Sequence, residues 1–218
     1  PTVNWDASTD AGVGLHATQP YQIQIGTTNT GHELEGPSFA ADPTYAATGL
    51  FIEATEYYVQ VRAQDALGNW SAWVFRSFFH DEAAPSDPSS VALTNSVDVT
   101  GTKWTNDSTP EFTWTNSDDT QAMHVTAPHR VKIGTATDPE KDDLLAVTGT
   151  GVSPYTAADL GWTTGDEYFF NVQGQDAAGN VSAFVEYAFK FDNTPPTIAG
   201  TPTLKTGSPA VTTAGVVY

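Results

Sequence analysis

The decapeptide QDALGNWSAW at residues 64–73 returns as QDAAGNVSAF at residues 175–184, 111 positions later. The likeness runs well beyond ten residues. Trp5 of VNW pairs with Trp114 of FTW, Ile25 of one IGT pairs with Ile133 of another, and TEYYVQVRAQD pairs with DEYFFNVQGQD. These offsets are 109, 108 and 111, so small insertions separate the copies. A period of about 110 residues is the size of one β-sandwich and far exceeds the unit of a solenoid or propeller. A chain of 218 residues has room for two such units. The first is expected to span residues 1–84 and the second 85–195, joined by the Pro- and Ser-rich DEAAPSDPSS. Residues 196–218 read as the start of a third unit or as a strand donated elsewhere.

Inside each copy the apolar residues alternate. Tyr21, Ile23 and Ile25 share one face, as do Tyr57, Val59 and Val61, Val131 and Ile133, and Tyr168, Phe170 and Val172. Period two is the mark of strands with one buried face. Turn clusters such as TTNTG, AADPT and TATDPEKDD punctuate them. No stretch carries a capped 3.6-residue period, so the chain is predicted to be all-β, as tandem antiparallel β-sandwiches.

PTYAATGLFIEATEYYVQVRAQDALGNWS resembles the second half of a fibronectin type III domain: a strand, a Leu, a short corner, then Tyr-x-Val-x-Val-x-Ala. Leu50 and Tyr57 carry the match in the first copy, and Leu160 and Tyr168 in the second. The Trp of VNW and FTW matches the strand B tryptophan of that family. D-A-x-G-N-x-S and FDNTPPT are similar to the ends and linkers of tandem Ig-like and type III modules in large bacterial surface proteins. The resemblance implies an extracellular or cell-surface setting. The residues alone agree with its fold: Trp5 and Trp114 suit plugs between two sheets, and Tyr57 and Tyr168 suit tyrosine corners whose hydroxyls bond nearby backbone.

Composition narrows the function. Eight Lys and Arg stand against 26 Asp and Glu, a formal charge of −18. Nucleic acid and anionic lipid are poor partners for such a chain, whereas divalent cations are natural ones. The absence of cysteine removes disulfides and thiolate metal sites. No apolar run approaches the ~20 residues of a membrane-spanning helix. Pro1 as the first residue reads as a piece of something longer. His16, His32, His80, His124 and His129 show no metalloprotease spacing, and no Gly-x-Ser-x-Gly elbow appears, so no enzyme is expected.

Two readings of the repeated Asp-Ala-x-Gly-Asn loop stay open. In the first it is a turn: Asp65 accepts backbone N–H groups, Gly68 takes positive φ, and Asp176 and Gly179 repeat the device. In the second it contributes to a Ca²⁺ site, because type III topology brings the B–C and F–G loops and the entering linker to one pole. That pole of the second copy collects Asp118, Asp119 and Asp176 with Asp81, Glu82 or Asp87 of the linker; in the first it collects Asp6, Asp10 and Asp65.

The expected role is that of a structural spacer, in an adhesin stalk or filament, with neighbouring modules as partners. The alternative is a carbohydrate- or protein-binding module, with Trp70, Trp73, Trp104 and Trp162 available to stack on sugar rings. One oddity concerns strand A. Residues 89–100 can supply it to the second copy, but only four residues precede Trp5. Either the chain is a window on a longer array, or the tail of one chain completes the first sandwich of the next.

Overall fold

A computed structural model describes residues 1–135 and 144–200. Most of the TATDPEKDD insertion and residues 201–218 of the tail therefore lie outside the described residues. Within them the chain is strand and turn throughout.

The first sandwich pairs β1 (Thr2–Asn4) with β4 (Thr44–Ala46) against a sheet ordered β3 (Glu35–Ala40), β2 (Tyr21–Gly26), β5 (Thr55–Ala63), β6 (Val74–His80). The second begins with β7 (Ser89–Leu93), β8 (Val97–Val99) and β9 (Thr102–Thr105). It continues with β10 (Glu111–Thr115), β11 (His129–Gly134), β12 (Leu145–Thr150), β13 (Tyr155–Thr156), β14 (Glu167–Gly174) and β15 (Val185–Phe191). Its sheets run β13-β10-β7 and β12-β11-β14-β15-β9-β8. All neighbours are antiparallel except β9 and β15, which pair in parallel through Lys190–Trp104 and Phe191–Thr105. The parallel pair arises because the entering chain first lies against β10 as β7, then turns through β8 and lays β9 along the edge of the other sheet.

Each sandwich has its own core. Tyr21, Ile23, Ile25, Tyr57, Val59 and Val61 are buried in the first. Phe112, Trp114, Val131, Ile133, Tyr168, Phe170, Val172, Phe189 and Phe191 are buried in the second. These include every residue placed on an inward face by the period-two reading. The opposite faces are less exposed than that period predicts. Gln24 and Gln60 are buried too, because Gln24 donates to Gln60 at 3.0 Å and Gln60 donates to the Gly31 carbonyl at 2.8 Å; Gln22 is buried with its Oε1 accepting from Arg62 Nε at 2.8 Å. A loop folded over the sheet satisfies these amides where water would otherwise do so.

Both tyrosine corners form. The Ile52 N–H donates to the Tyr57 hydroxyl at 2.9 Å, and the Thr163 N–H to the Tyr168 hydroxyl at 2.7 Å. The leucine assigned to the first corner needs correction. Leu50 is 89% exposed, and Phe51 instead packs edge-on to Tyr57 at 5.0 Å. In the second corner Leu160 does pack against the core, but Trp162 holds the place of Phe51, edge-on to Tyr168 at 4.9 Å. An aromatic ring covers more of the tyrosine than a leucine could, which leaves Leu50 free to face solvent.

The two copies share one further device. Trp5 meets Tyr21 edge-on at 5.3 Å, and Trp114 meets His129 edge-on at 5.4 Å. The Ser8 N–H donates to the Tyr21 hydroxyl at 2.9 Å, and the Ser117 N–H donates to His129 Nε2 at 3.1 Å. Phenol and imidazole thus fill the same place and accept the same kind of bond.

Candidate functional site

The polar features converge where the sandwiches meet. Residues 81–88 leave β6 and are pinned on both sides. The Glu82 N–H donates to the Glu53 carboxylate of the first sandwich at 2.8 Å. Asn180 of the second donates its amide to the Asp81 carbonyl at 3.1 Å. Ser86 and Asp118 exchange two bonds of 2.9 Å, and the Ala183 N–H donates to Asp87 Oδ1 at 3.0 Å. Pro85 and Pro88 are buried.

At this junction three carboxylates gather. Asp81, Asp119 and Asp176 each offer an oxygen, and the three oxygens lie within 4.8 Å of one another. Asp81 comes from the linker, Asp119 from the loop after β10, and Asp176 from the loop between β14 and β15. In each, Oδ1 serves its own turn: it accepts Ala83 N–H in Asp81, Gln121 N–H in Asp119, and Gly179 and Asn180 N–H in Asp176. Asp176 Oδ2 accepts the Asn180 amide at 2.8 Å and keeps a second acceptor site. Burial raises the pKa of Asp81, and the charges of Asp176 and Asp119 raise it further. Glu53 is a fourth acid beside Asp81; its pKa is lowered chiefly by the Glu82 N–H. A set of hard oxygens in this arrangement suits a divalent cation such as Ca²⁺ and not a soft metal.

The sequence candidates divide accordingly. Asp119, Asp176 and Asp81 come together. Asp118 stays outside the group: its main chain is spent on Ser86, and its Oδ1 accepts the Asp119 N–H at 3.0 Å. Asp87 is spent on Ala183, and Glu82 is exposed. In the first sandwich Asp65 Oδ1 accepts the Leu67 and Asn69 N–H groups, while Asp10 Oδ2 accepts those of Gly12 and Gly14. Asp10 and Asp65 line one shallow hollow with Trp70, Asp6 is exposed, and they form no comparable group among the described residues. Gly68 and Gly179 have φ of 90° and 100°, as a turn of this type requires. Glu53 escaped the sequence reading because it lies 29 residues before its partner Glu82 of the linker, with no motif to join them.

The tryptophans are engaged. The Arg62 guanidinium sits 4.4 Å from the Trp70 ring and 4.5 Å from the Trp73 ring. Trp162 packs against Tyr168 and Phe189, and its Nε1 donates to the Ser108 carbonyl at 2.7 Å. The Lys190 ammonium lies 5.6 Å from the Trp104 ring.

Two sandwiches of this strand order, each with a tryptophan between its sheets and a tyrosine at its corner, define a fibronectin type III-like fold. A crystal structure of the FN1–FN3 domains of chicken CNTN1 superposes with a TM-score of 0.54 over 87% of this chain and 62% of that one, at 14% identity. No protein-family model matches the chain. Among curated proteins it is similar to Exoglucanase B of Cellulomonas fimi, 32% identical over 217 residues, and to Endoglucanase B of Cellulomonas fimi, 30% identical over 211 residues. The matches take in 97% and 92% of this chain but only 17% and 18% of those proteins. The chain thus spans less than a fifth of either relative.

Proposed function

We propose that the chain is a non-catalytic spacer of two type III-like modules, residues 1–84 and 85–195, within a longer extracellular protein. The observation that carries this reading is that the whole two-module unit aligns with under a fifth of two different glucanases. A segment shared by proteins with distinct names, built on a fold that hosts many functions, suits a connecting part better than a reactive one. The anchored linker adds to this, since a spacer works by holding a distance. The parent on this reading is a multidomain enzyme acting on polysaccharide; an adhesin stalk or filament is the other setting for the same unit. Removing the segment from the parent should leave turnover of a small soluble substrate unchanged and reduce turnover of an insoluble one. Retention of the isolated chain on cellulose would make it a binding module and overturn the spacer reading.

The acid group supports a second element of the proposal, a Ca²⁺ bound by Asp81, Asp119 and Asp176 that stiffens the junction. Such a cation would be held by the linker and the second sandwich together. Mass action would raise stability by roughly 2.7 kcal/mol at a Ca²⁺ concentration 100 times Kd. Calorimetry in Ca²⁺ and in chelator tests it, and equal melting temperatures would leave the carboxylates as turn caps.

A further inference from the structure

The outward side of the first sandwich's four-stranded sheet carries a strip of aromatic rings. Side chains alternate along a strand, so β6 turns Val74, Arg76 and Phe78 to one side and Phe75, Ser77 and Phe79 to the other. Phe75 is 58% exposed and Phe79 60%. Phe39 of β3 is also exposed, 6.4 Å from the Trp70 ring, and Tyr58 of β5 lies 6.2 Å from Phe75. Rings left side by side in water mark a surface that meets something.

Arg62 stands within the strip. Trp70 and Trp73 flank its guanidinium at 4.4 and 4.5 Å, and its Nε donates to Gln22 Oε1 at 2.8 Å. The two indoles hold the planar fork in one orientation, and the bond to Gln22 leaves its terminal N–H groups for a ligand.

The fold does not require the strip. Strand register in the second sandwich gives each ring its counterpart. Phe39 corresponds to Gly149, Phe75 to Glu186 and Phe79 to Lys190. Arg62 corresponds to Gln173, and Trp70 to Val181. Rings needed to hold a sandwich together would recur in both copies, as the corner tyrosines do.

Charge selects the partner. The outward side chains of β2, β5 and β6 include one acid, Glu56, and one base, Arg62, so this side is close to neutral in a chain of formal charge −18. A polyanion is repelled by the chain as a whole, and a polycation is drawn to the acidic loops instead. An uncharged ligand with apolar faces and hydroxyl edges suits the strip, and pyranose rings have both. We infer that a single uncharged polysaccharide chain lies along this side, with sugar faces on Phe39 and Phe75 and hydroxyls on Arg62. The inference rests on the proposed setting in a parent that acts on polysaccharide. The rings are tilted, by 39° between Phe39 and Trp70 and by 52° between Tyr58 and Phe75, so they follow a twisted free chain and do not lie flat on packed cellulose. A spacer with this face touches loose chains without being retained on the solid.

Native gel electrophoresis tests this, since the charge of −18 drives the chain through the gel. Hydroxyethylcellulose in the gel should slow the chain relative to a plain gel. Phe39→Ala combined with Phe75→Ala should restore the plain-gel mobility; both rings are exposed, so the melting temperature should hold. Arg62→Lys, which keeps the charge and loses the fork, should weaken the retardation several-fold. Unslowed migration at every polysaccharide concentration overturns the inference, and so does retardation that survives the double variant or Arg62→Lys unchanged. Stronger retardation in carboxymethylcellulose would make Arg62 an anion site and overturn the choice of an uncharged ligand. None of these outcomes bears on the spacer reading, which retention on insoluble cellulose tests.

Discussion

Val3 and Phe112 hold the same position in the two sandwiches, yet Phe112 is fully buried and Val3 is only half-buried. The same contrast runs through the pairs Trp5 and Trp114, Phe78 and Phe189, and His80 and Phe191. Inward-facing residues alone therefore do not make a dry core. In the second sandwich closure comes from the entering segment, β7 to β9, which lies over Phe112 and along the edge of β15. Rings respond to closure as well: Phe112 stacks on Phe170 at 4.0 Å and meets Phe189 edge-on at 5.3 Å, whereas Val3 has no such partners to gain.

Truncation should break this comparison most sharply. Phe112→Ala should cost the second sandwich about 3–5 kcal/mol, while Val3→Ala should cost the first about 1 kcal/mol. Thermal unfolding followed by calorimetry checks both, and equal losses would mean that the first core is closed in solution. The repeated loop offers the next test. Asp176 is fully buried with three local bonds, so Asp176→Ala should cost about 2–3 kcal/mol. Asp65→Ala, in the exposed copy, should lower the melting temperature less.

Acid should separate the modules more gently. Burial lowers the pKa of His129, so below about pH 6.5 the unfolded chain binds a proton that the folded one does not. The stability of the second sandwich should therefore fall as pH drops through that range. His129→Tyr, which copies the side chain of the first sandwich, should flatten the dependence; a melting curve unchanged between pH 7.5 and 5 would sink the argument. The smallest effect is expected at the junction. Asp81 has a raised pKa, so the folded state holds its proton to higher pH than the unfolded chain, and ionisation at neutral pH costs stability. Asp81→Asn should raise the melting temperature slightly in chelator and shrink any rise caused by Ca²⁺.

Much of the fold was legible because its cause is local. Alternation at Tyr21, Ile23 and Ile25 states which face is buried, and Asp-Ala-x-Gly-Asn states where a turn must fall. The Trp and Tyr of each copy were found because their surroundings repeat. The junction was legible only in part. That Asp119 and Asp176 share a pole follows from topology, but that Asp118 is diverted depends on Ser86, whose bond to it no pattern announces. Leu50 misled because a family pattern named the leucine, while the ring that does the packing is its neighbour Phe51. Glu53 was invisible for a related reason: long-range polar pairs leave no periodic trace.

The linker carries one more consequence. DEAAPSDPSS has the composition of a segment that proteases open first, polar and rich in serine. Its backbone, though, is held by Glu53, Asn180 and Asp118, its Asp87 side chain accepts the Ala183 N–H, and both of its prolines are buried. Cleavage requires a segment to peel away and enter an active site, so its rate follows the small population in which those bonds are open. A protease in the same medium should therefore nick the exposed 66–69 tip of the first sandwich's repeated loop before it parts the two modules.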